Sequence, residues 1–450
     1  MTAIYCARWV WPGSSMPIED GAVAVANDLI AEVGTRSRLC QQFAAAAVVD
    51  LDEAILIPGL VNSHSHLELT AMRGLLDREE RDFPAWLRRL TSLRLERMTP
   101  EDLYVSAAWG AVEAARAGIT CLGDASSVAV QSLTAVRDVG LRGIIFQESF
   151  GPDSRLAQEN PALLRSQVTE LRSIETDLVR VGVSPHAPYT VSGLQLKMIA
   201  EFALAESLPV VTHAAESAAE QMLLESGAGP FAAGLAARGI DWTPPRMSSI
   251  QFLKNQGLLE TRPLLAHCIR VNDADLETIA VTGASVAHCP KSNAKLGHGR
   301  APLLRFLAKG LPVGLGTDSV ASNNTCDLLE EARFAILLSR LEASGEGTVI
   351  DPAALLKLAT LGGARALGLS SQIGELRKGL QADLTAVSLS GASLVPAYDP
   401  VSVLLFASTG RDVCLTVVAG REIYRAGQVT TVDVEDLRKR IRRLAIKLSE

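Results

Sequence analysis

Between residues 58 and 365, short β-branched or apolar runs alternate with stretches of helical periodicity, and this limits the fold more than anything else in the chain. Strands are expected at 119–124, 142–149, 179–185, 208–213, 263–267, 284–288 and 312–317. Helices are expected between them, at 101–117, 161–175, 192–206, 273–281 and 324–344. With the apolar run from Ala54 to Leu60, which leads to His64, this makes eight strand–helix repeats. Repeated βα units imply a parallel sheet, and eight of them a closed (β/α)8 TIM barrel. Segment 227–257 is long for one crossover and is broken by Pro244-Pro245, so it reads as an inserted helical excursion.

The two ends have another texture. Ala22 to Ala26 and Leu29 to Gly34 flank the turn pair Asn27-Asp28 and read as a hairpin, and Val48 to Leu51 as another strand. Beyond 366, Gly379 to Val387 and Val413 to Val418 are the clearest strands. Both ends lie outside the barrel, so they are expected to pair into one small β-sandwich. The expected division is 1–57 for the first part of the sandwich, 58–365 for the barrel and 366–450 for the second part with a terminal helix. That helix, Val434 to Leu448, carries Arg438, Lys439, Arg440, Arg442 and Arg443 as a solvated face.

Composition narrows the partners. The 43 basic and 50 acidic residues leave a net charge of −7, which argues against nucleic acid and leaves a small neutral or cationic substrate open. Seven cysteines, an odd number without a C-x-x-C pair, fit a reducing cytosol. Met1 to Trp11 lacks the basic-then-apolar pattern of a signal peptide, and no uncharged apolar run approaches the roughly 18–20 residues of a membrane helix. A cytoplasmic protein without a membrane partner is expected, and homo-oligomerisation is left open.

The chemistry-bearing residues fall where a barrel would gather them. On a strand, residues i and i+2 face the same side, so His64 and His66 can aim two imidazoles at one point. Six of the seven histidines (His64, His66, His186, His213, His267 and His288, but not His298) stand at or just after an expected strand end. In a parallel barrel those ends share the face that carries the site. His213 has Glu216 three residues on, which can set an imidazole and a carboxylate beside one water. Asp318 can complete a ligand shell or take a proton from water. His64, His66, His213 and Asp318 together suit an open zinc site. Singly, each has a plainer reading: surface polars for the histidine pair, a helix cap for Asp318, first-turn helix chemistry for Glu216.

Six motifs carry a resemblance to a known family. They are Pro58-Gly59-Leu60-Val61-Asn62 before His64-Ser65-His66, Ser184-Pro185-His186, Thr212-His213-Ala214-Ala215-Glu216, Ala266-His267-Cys268, His288-Cys289-Pro290-Lys291-Ser292-Asn293, and Gly316-Thr317-Asp318-Ser319. With them the chain resembles the amidohydrolase superfamily, in the branch of cytosine, guanine and methylthioadenosine/S-adenosylhomocysteine deaminases and chlorohydrolases. The resemblance implies His64, His66, His213 and Asp318 as metal ligands and Glu216 as proton shuttle. It implies His267 orienting the attacking water, Asp318 also taking a proton, and His186 touching substrate. Relatives with two metals carry a lysine where this chain has Ser184-Pro185-His186, so one divalent metal is expected: zinc first, with iron and manganese open.

For the substrate, the resemblance points to an adenosine-like nucleoside that is deaminated with release of ammonia. The acidic residue that such enzymes use for ribose falls near Leu95, beside Glu96. Their arginine at the end of strand three falls on Gln147, while Arg155 matches a second arginine. Glu68, in His66-Leu67-Glu68, resembles the pattern of aminodeoxyfutalosine deaminases. Gln147, Arg155, Glu68 and His186 are therefore the expected substrate contacts. The alternatives are that aminodeoxyfutalosine activity, a guanine, cytosine or pterin deaminase, a triazine-type chlorohydrolase and, from another class, a non-catalytic binding protein.

Overall fold

A computed structural model describes residues 2–342 and 350–450. Eight parallel strands are set between helices in a TIM-barrel-type arrangement. In chain order they are Leu60–Ser65, Ile119–Ser126, Arg142–Ser149, Val179–Pro185, Val211–Ala214, Leu264–His267, Ser285–His288 and Val313–Leu315. The first four form one hydrogen-bonded parallel sheet and the last four another. Isolated parallel bridges lie at both seams, Val183 with Val210 and Ser65 with Asp318. At the second seam, Asn62 donates through Nδ2 to Thr317 Oγ1 at 2.8 Å and accepts the Thr317 amide at 3.0 Å. This is what the asparagine of the Pro58-to-Asn62 motif does.

The expected helices are present with shifted ends: Pro100–Arg116, Glu159–Arg172, Gly193–Ala205, Asp273–Thr282 and Leu328–Glu342. Thr99 and Asp102 form a capping box that fixes the start of the first. The helix expected at 324–344 begins late because the Asp327 carboxylate accepts the amides of Leu329 and Glu330 at 3.0 and 3.2 Å, as a cap does. Residues 343 and 344 of that expectation lie outside the described residues. The excursion at 227–257 contains the helices Gly229–Ala237 and Ser249–Asn255 around the Pro244-Pro245 break.

The run from Ala54 to Leu60 is one strand in expectation and two in fact. Ala54–Pro58 pairs antiparallel with Leu384–Ser388 and belongs with the chain ends. The chain then turns at Gly59, where an added Cβ would lie 2.2 Å from Thr120 Oγ1, and enters the first parallel strand. The strands of both ends form one continuous nine-stranded mixed sheet. Side chains from one face of it, including Tyr5, Val23, Leu56, Leu384 and Leu415, share a single apolar core. Arg142 of the third parallel strand reaches into this sheet and holds Asp383 in a two-pronged bond of 2.9 and 3.1 Å, with both side chains buried.

The terminal helix Val434–Ser449 buries Leu437, Ile441, Leu444 and Leu448. Lys439, Arg442 and Arg443 are exposed, and Arg438 pairs with Glu435 within the same helix. Among the described residues, no helix is long and apolar enough to cross a membrane.

Candidate active site

Strand ends of the parallel sheets bring the histidines together. His64 lies in the first strand and His66 just beyond its end, with ring centroids 4.9 Å apart. His66 Nε2 is 3.3 Å from His213 Nε2 and 3.5 Å from Asp318 Oδ1, while His64 Nε2 is 3.6 Å from the same oxygen. The expected ligand set is thus gathered around one point. His267 joins it: the ligand atoms of His64, His213, His267 and Asp318 all lie within 4.8 Å of one another.

The His213 ring is held in a tautomer that suits a metal ligand. His213 Nδ1 donates to the carbonyl of His186 at 2.8 Å, which leaves the Nε2 lone pair free. His66 turns its Nε2 into the cluster, toward His213 and Asp318. Both ring nitrogens of His64 are buried without a hydrogen-bond partner. Burial lowers the basicity of all three rings, His66 to about 4, so they are neutral at physiological pH. Asp318 Oδ2 accepts from Ser292 at 2.5 Å and from Ser322 at 2.8 Å, which turns Oδ1 to the histidines. Burial pushes this carboxyl up, but His64, His267 and His66 outweigh it and hold it well below the usual range. Neutral imidazoles, His64 with both ring nitrogens orphaned, around one ionised carboxylate are a donor set that fits a divalent cation.

Backbone strain is concentrated here. Ala215, His267, Cys268 and Asp318 all adopt positive φ, between 48° and 74°. Such residues cost about 1–3 kcal/mol each and persist only where the surroundings impose them. The Glu220 carboxylate imposes one turn by accepting the amides of Ala215 and Glu216, both at 2.9 Å. Glu216 Oε1 is thereby set 3.6 Å from His267 Nε2 and 3.6 Å from His298 Nε2, while Oε2 accepts from the Tyr189 hydroxyl at 3.3 Å. Burial raises the Glu216 carboxyl to about 7, where it can both give and take a proton at neutral pH. His267 Nδ1 bonds Asn293 Oδ1 at 2.8 Å, which gives the Asn293 of the His288-to-Asn293 motif its place. Desolvation works against a charged His267, yet the carboxylates of Glu216 and Asp318 raise its basicity overall.

A cavity of about 720 Å³ opens onto this cluster. His186 lines it, with Nδ1 bonded to Thr190 Oγ1 at 2.7 Å and burial pushing the ring down to about 3. Glu68 also lines it, but its oxygens are taken by the hydroxyls of Ser126 and Ser127, the Val128 amide and Arg94 Nη1. Two expected substrate contacts are not in the wall. Gln147 spends its amide on the carbonyls of Ser127 and Glu148. Arg155 is 70% exposed and folds back onto Asp153. Neither is among the residues that line the cavity, because each has found a partner in its own neighbourhood. Of the pair near the expected ribose acid, Leu95 is in the wall and Glu96 is exposed outside it.

Sequence reasoning missed Tyr189, Glu148, Arg94 and the role of His298, and it missed the apolar wall of Phe83, Trp86, Leu90 and Met98. Glu148 had a trace in the sequence, an acid at the end of the expected 142–149 strand. The wall had none, since its helix Phe83–Ser92 and the wide turn Leu93–Arg97 precede the second parallel strand without a motif.

A model described as the amidohydrolase family matches residues 55–423. A 5-methylthioadenosine/S-adenosylhomocysteine deaminase of Nitratidesulfovibrio vulgaris is 33% identical over 431 residues, covering 95% of this chain and 92% of that one. The structure of an adenosine deaminase from Xanthomonas campestris with bound zinc superposes with a TM-score of 0.86 at 27% identity, covering 99% of this chain and 98% of that one. An atrazine chlorohydrolase from Arthrobacter aurescens, complexed with zinc, shares the fold at a TM-score of 0.84 and 22% identity, over 98% of this chain and 100% of that one.

Proposed function

The chain belongs to the amidohydrolase family, and we propose that it is a metal-dependent hydrolytic deaminase of an adenosine-like nucleoside. One observation carries this reading: a buried carboxyl, Glu216, raised to about 7 and 3.6 Å from His267, beside the neutral imidazoles of His64, His66 and His213 and the ionised carboxylate of Asp318. His64, His66, His213 and Asp318 would hold one divalent cation, zinc before iron or manganese. Such a cation supplies Lewis acidity that makes water a nucleophile near neutral pH.

This chain's residues do the rest. Asp318 and His267 orient the attacking water. Glu216 accepts a proton from it and passes the proton to the ring nitrogen beside the reacting carbon, which draws electrons from that carbon. The water oxygen bonds to the carbon, the carbon–nitrogen bond breaks with its electron pair leaving on nitrogen, and the second water proton completes ammonia. Ring C–NH2 and water become ring C=O, with hydrogen on the ring nitrogen, and ammonia.

Within that class the wall of Phe83, Trp86, Leu90 and Met98 favours an apolar 5′ substituent such as methylthio over a charged amino-acid tail. The same apolar wall, in a cavity of about 720 Å³, supports a second reading, a bulkier nucleoside of the aminodeoxyfutalosine type.

Two finer points of architecture belong to the same proposal. The bridges at both seams support one closed eight-stranded barrel over residues 58–365. The shared core of the end sheet supports a sandwich-like curl of segments 1–57 and 366–450. Ammonia release across adenosine derivatives, guanine, cytosine, pterins and triazines tests the functional reading. Turnover confined to triazines, or absent throughout, overturns it.

A further inference from the structure

The third parallel strand ends in a carboxyl that nothing in the reaction just described uses. Glu148 lines the cavity with its side chain 3% exposed, and its Oε1 is buried without a hydrogen-bond partner. Oε1 stands 4.0 Å from His186 Nε2, too far for a hydrogen bond. Glu148, His186 and His213 nevertheless offer ligand-type atoms within 4.8 Å of one another, so the carboxyl sits at the reacting end of the cavity. His213 does not tie it to a second cation, since its Nδ1 is spent on the His186 carbonyl and its Nε2 faces His66. The other carboxyls here are engaged: Asp318 by two serines, Glu216 by Tyr189, Glu68 by Ser126, Ser127 and Arg94. A buried polar atom left unpaired in a cavity wall asks for a partner from the ligand.

We infer that Glu148 accepts a hydrogen bond from the amino group that leaves, and so selects substrates whose leaving group carries N–H. The inference rests on the deaminase reading. The reacting ring carbon has three substituents spread in a plane. Glu216, beyond the fifth strand, takes the ring nitrogen. The rest of the ring leads out toward the apolar wall. The amino group is then directed away from Glu216, to the side of the third and fourth strands where Glu148 and His186 stand. A carboxyl offers an accepting oxygen whether or not it is protonated, and a departing chloride or methoxide gives it nothing to accept. On a scaffold that also carries chlorohydrolases, Glu148 is therefore a specificity-determining residue for amine over halide.

The test compares kcat/KM for 6-amino-, 6-chloro- and 6-methoxypurine ribosides in the metal-loaded wild type, Glu148→Ala and Glu148→Gln, with metal content measured for each. Where a 6-chloro or 6-methoxy compound is not turned over, its inhibition constant serves the same comparison. Glu148→Ala should lose about 10- to 100-fold on the amino substrate and less than about threefold on the others. Glu148→Gln, whose amide oxygen still accepts, should stay within about fivefold of wild type on the amino substrate with its metal retained. Equal losses on all three compounds, or a glutamine variant as poor as the alanine one, overturn the inference while the deaminase reading stands. A wild type that releases no ammonia from the 6-amino compound overturns both.

Discussion

The backbone amide of Asp318 donates to the carbonyl oxygen of His64 at 2.9 Å. That bond joins the last parallel strand to the first, and it sets a carboxylate and an imidazole from opposite ends of the barrel segment 3.6 Å apart. The candidate metal site and the seam between the two sheets are one structural feature.

Metal content should follow from this. The purified protein should carry one divalent ion per chain, and His64→Ala or His213→Ala should lose it. His66 and His267 compete for the fourth place, and His267 Nε2 already faces Glu216. His267→Asn should therefore keep most of the metal and lose about 10²–10³ in turnover, as an oxyanion donor does. Asp318→Asn should lose activity and part of the metal. Elemental analysis beside turnover decides it. If His267→Asn empties the site while His66→Asn stays full, His267 is the ligand.

Glu216→Gln should retain metal, because Glu216 stands beside the cluster rather than in it. Its turnover should fall by roughly two to four orders of magnitude. Near wild-type rates with full metal would remove Glu216 from proton transfer.

The Glu331 carboxyl shows how burial sets the pH dependence of stability. Burial raises it from 4.5 to about 8, although it accepts from Asn323 Nδ2 at 2.5 Å and from the Lys291 amide at 3.2 Å. A raised carboxyl binds more protons folded than unfolded, so its contribution is fully present below 4.5 and is lost as pH rises toward 8. Glu331→Gln should flatten that part of the curve. Denaturant midpoints at pH 5 and pH 8 for both proteins measure it, and equal differences in the two would contradict the assignment.

Asp383→Ala should destabilise strongly, by about 3–5 kcal/mol, because it leaves the buried Arg142 guanidinium unpaired. The double variant Arg142→Met/Asp383→Leu should recover much of the loss. Urea unfolding of the three proteins checks this, and a double variant no better than the single one would count against it.

The sequence made much of this readable, and the residues explain where it stopped. The parallel strands follow from apolar runs, and the histidines from their place at strand ends, because both are local patterns with a fixed period. The boundary at Gly59 is marked only by the Pro58-Gly59 pair inside an apolar run, and the reason a glycine is needed there, the close approach of Thr120, lies far along the chain. Gln147 and Arg155 lie outside the cavity wall for a similar reason, since the Ser127 and Glu148 carbonyls and the Asp153 carboxylate hold them, which no alignment of strand ends reveals. His298 follows no strand, yet a loop returns it to Glu216.

The most direct measurement is ammonia release from 5′-methylthioadenosine by the purified protein as a function of bound metal. The account predicts one ammonia and one 6-oxo product per substrate consumed, loss of turnover on chelation, and recovery when one equivalent of zinc is restored. Full turnover by metal-free protein, or metal-loaded protein that releases no ammonia from this or any other 6-aminopurine nucleoside, would contradict it.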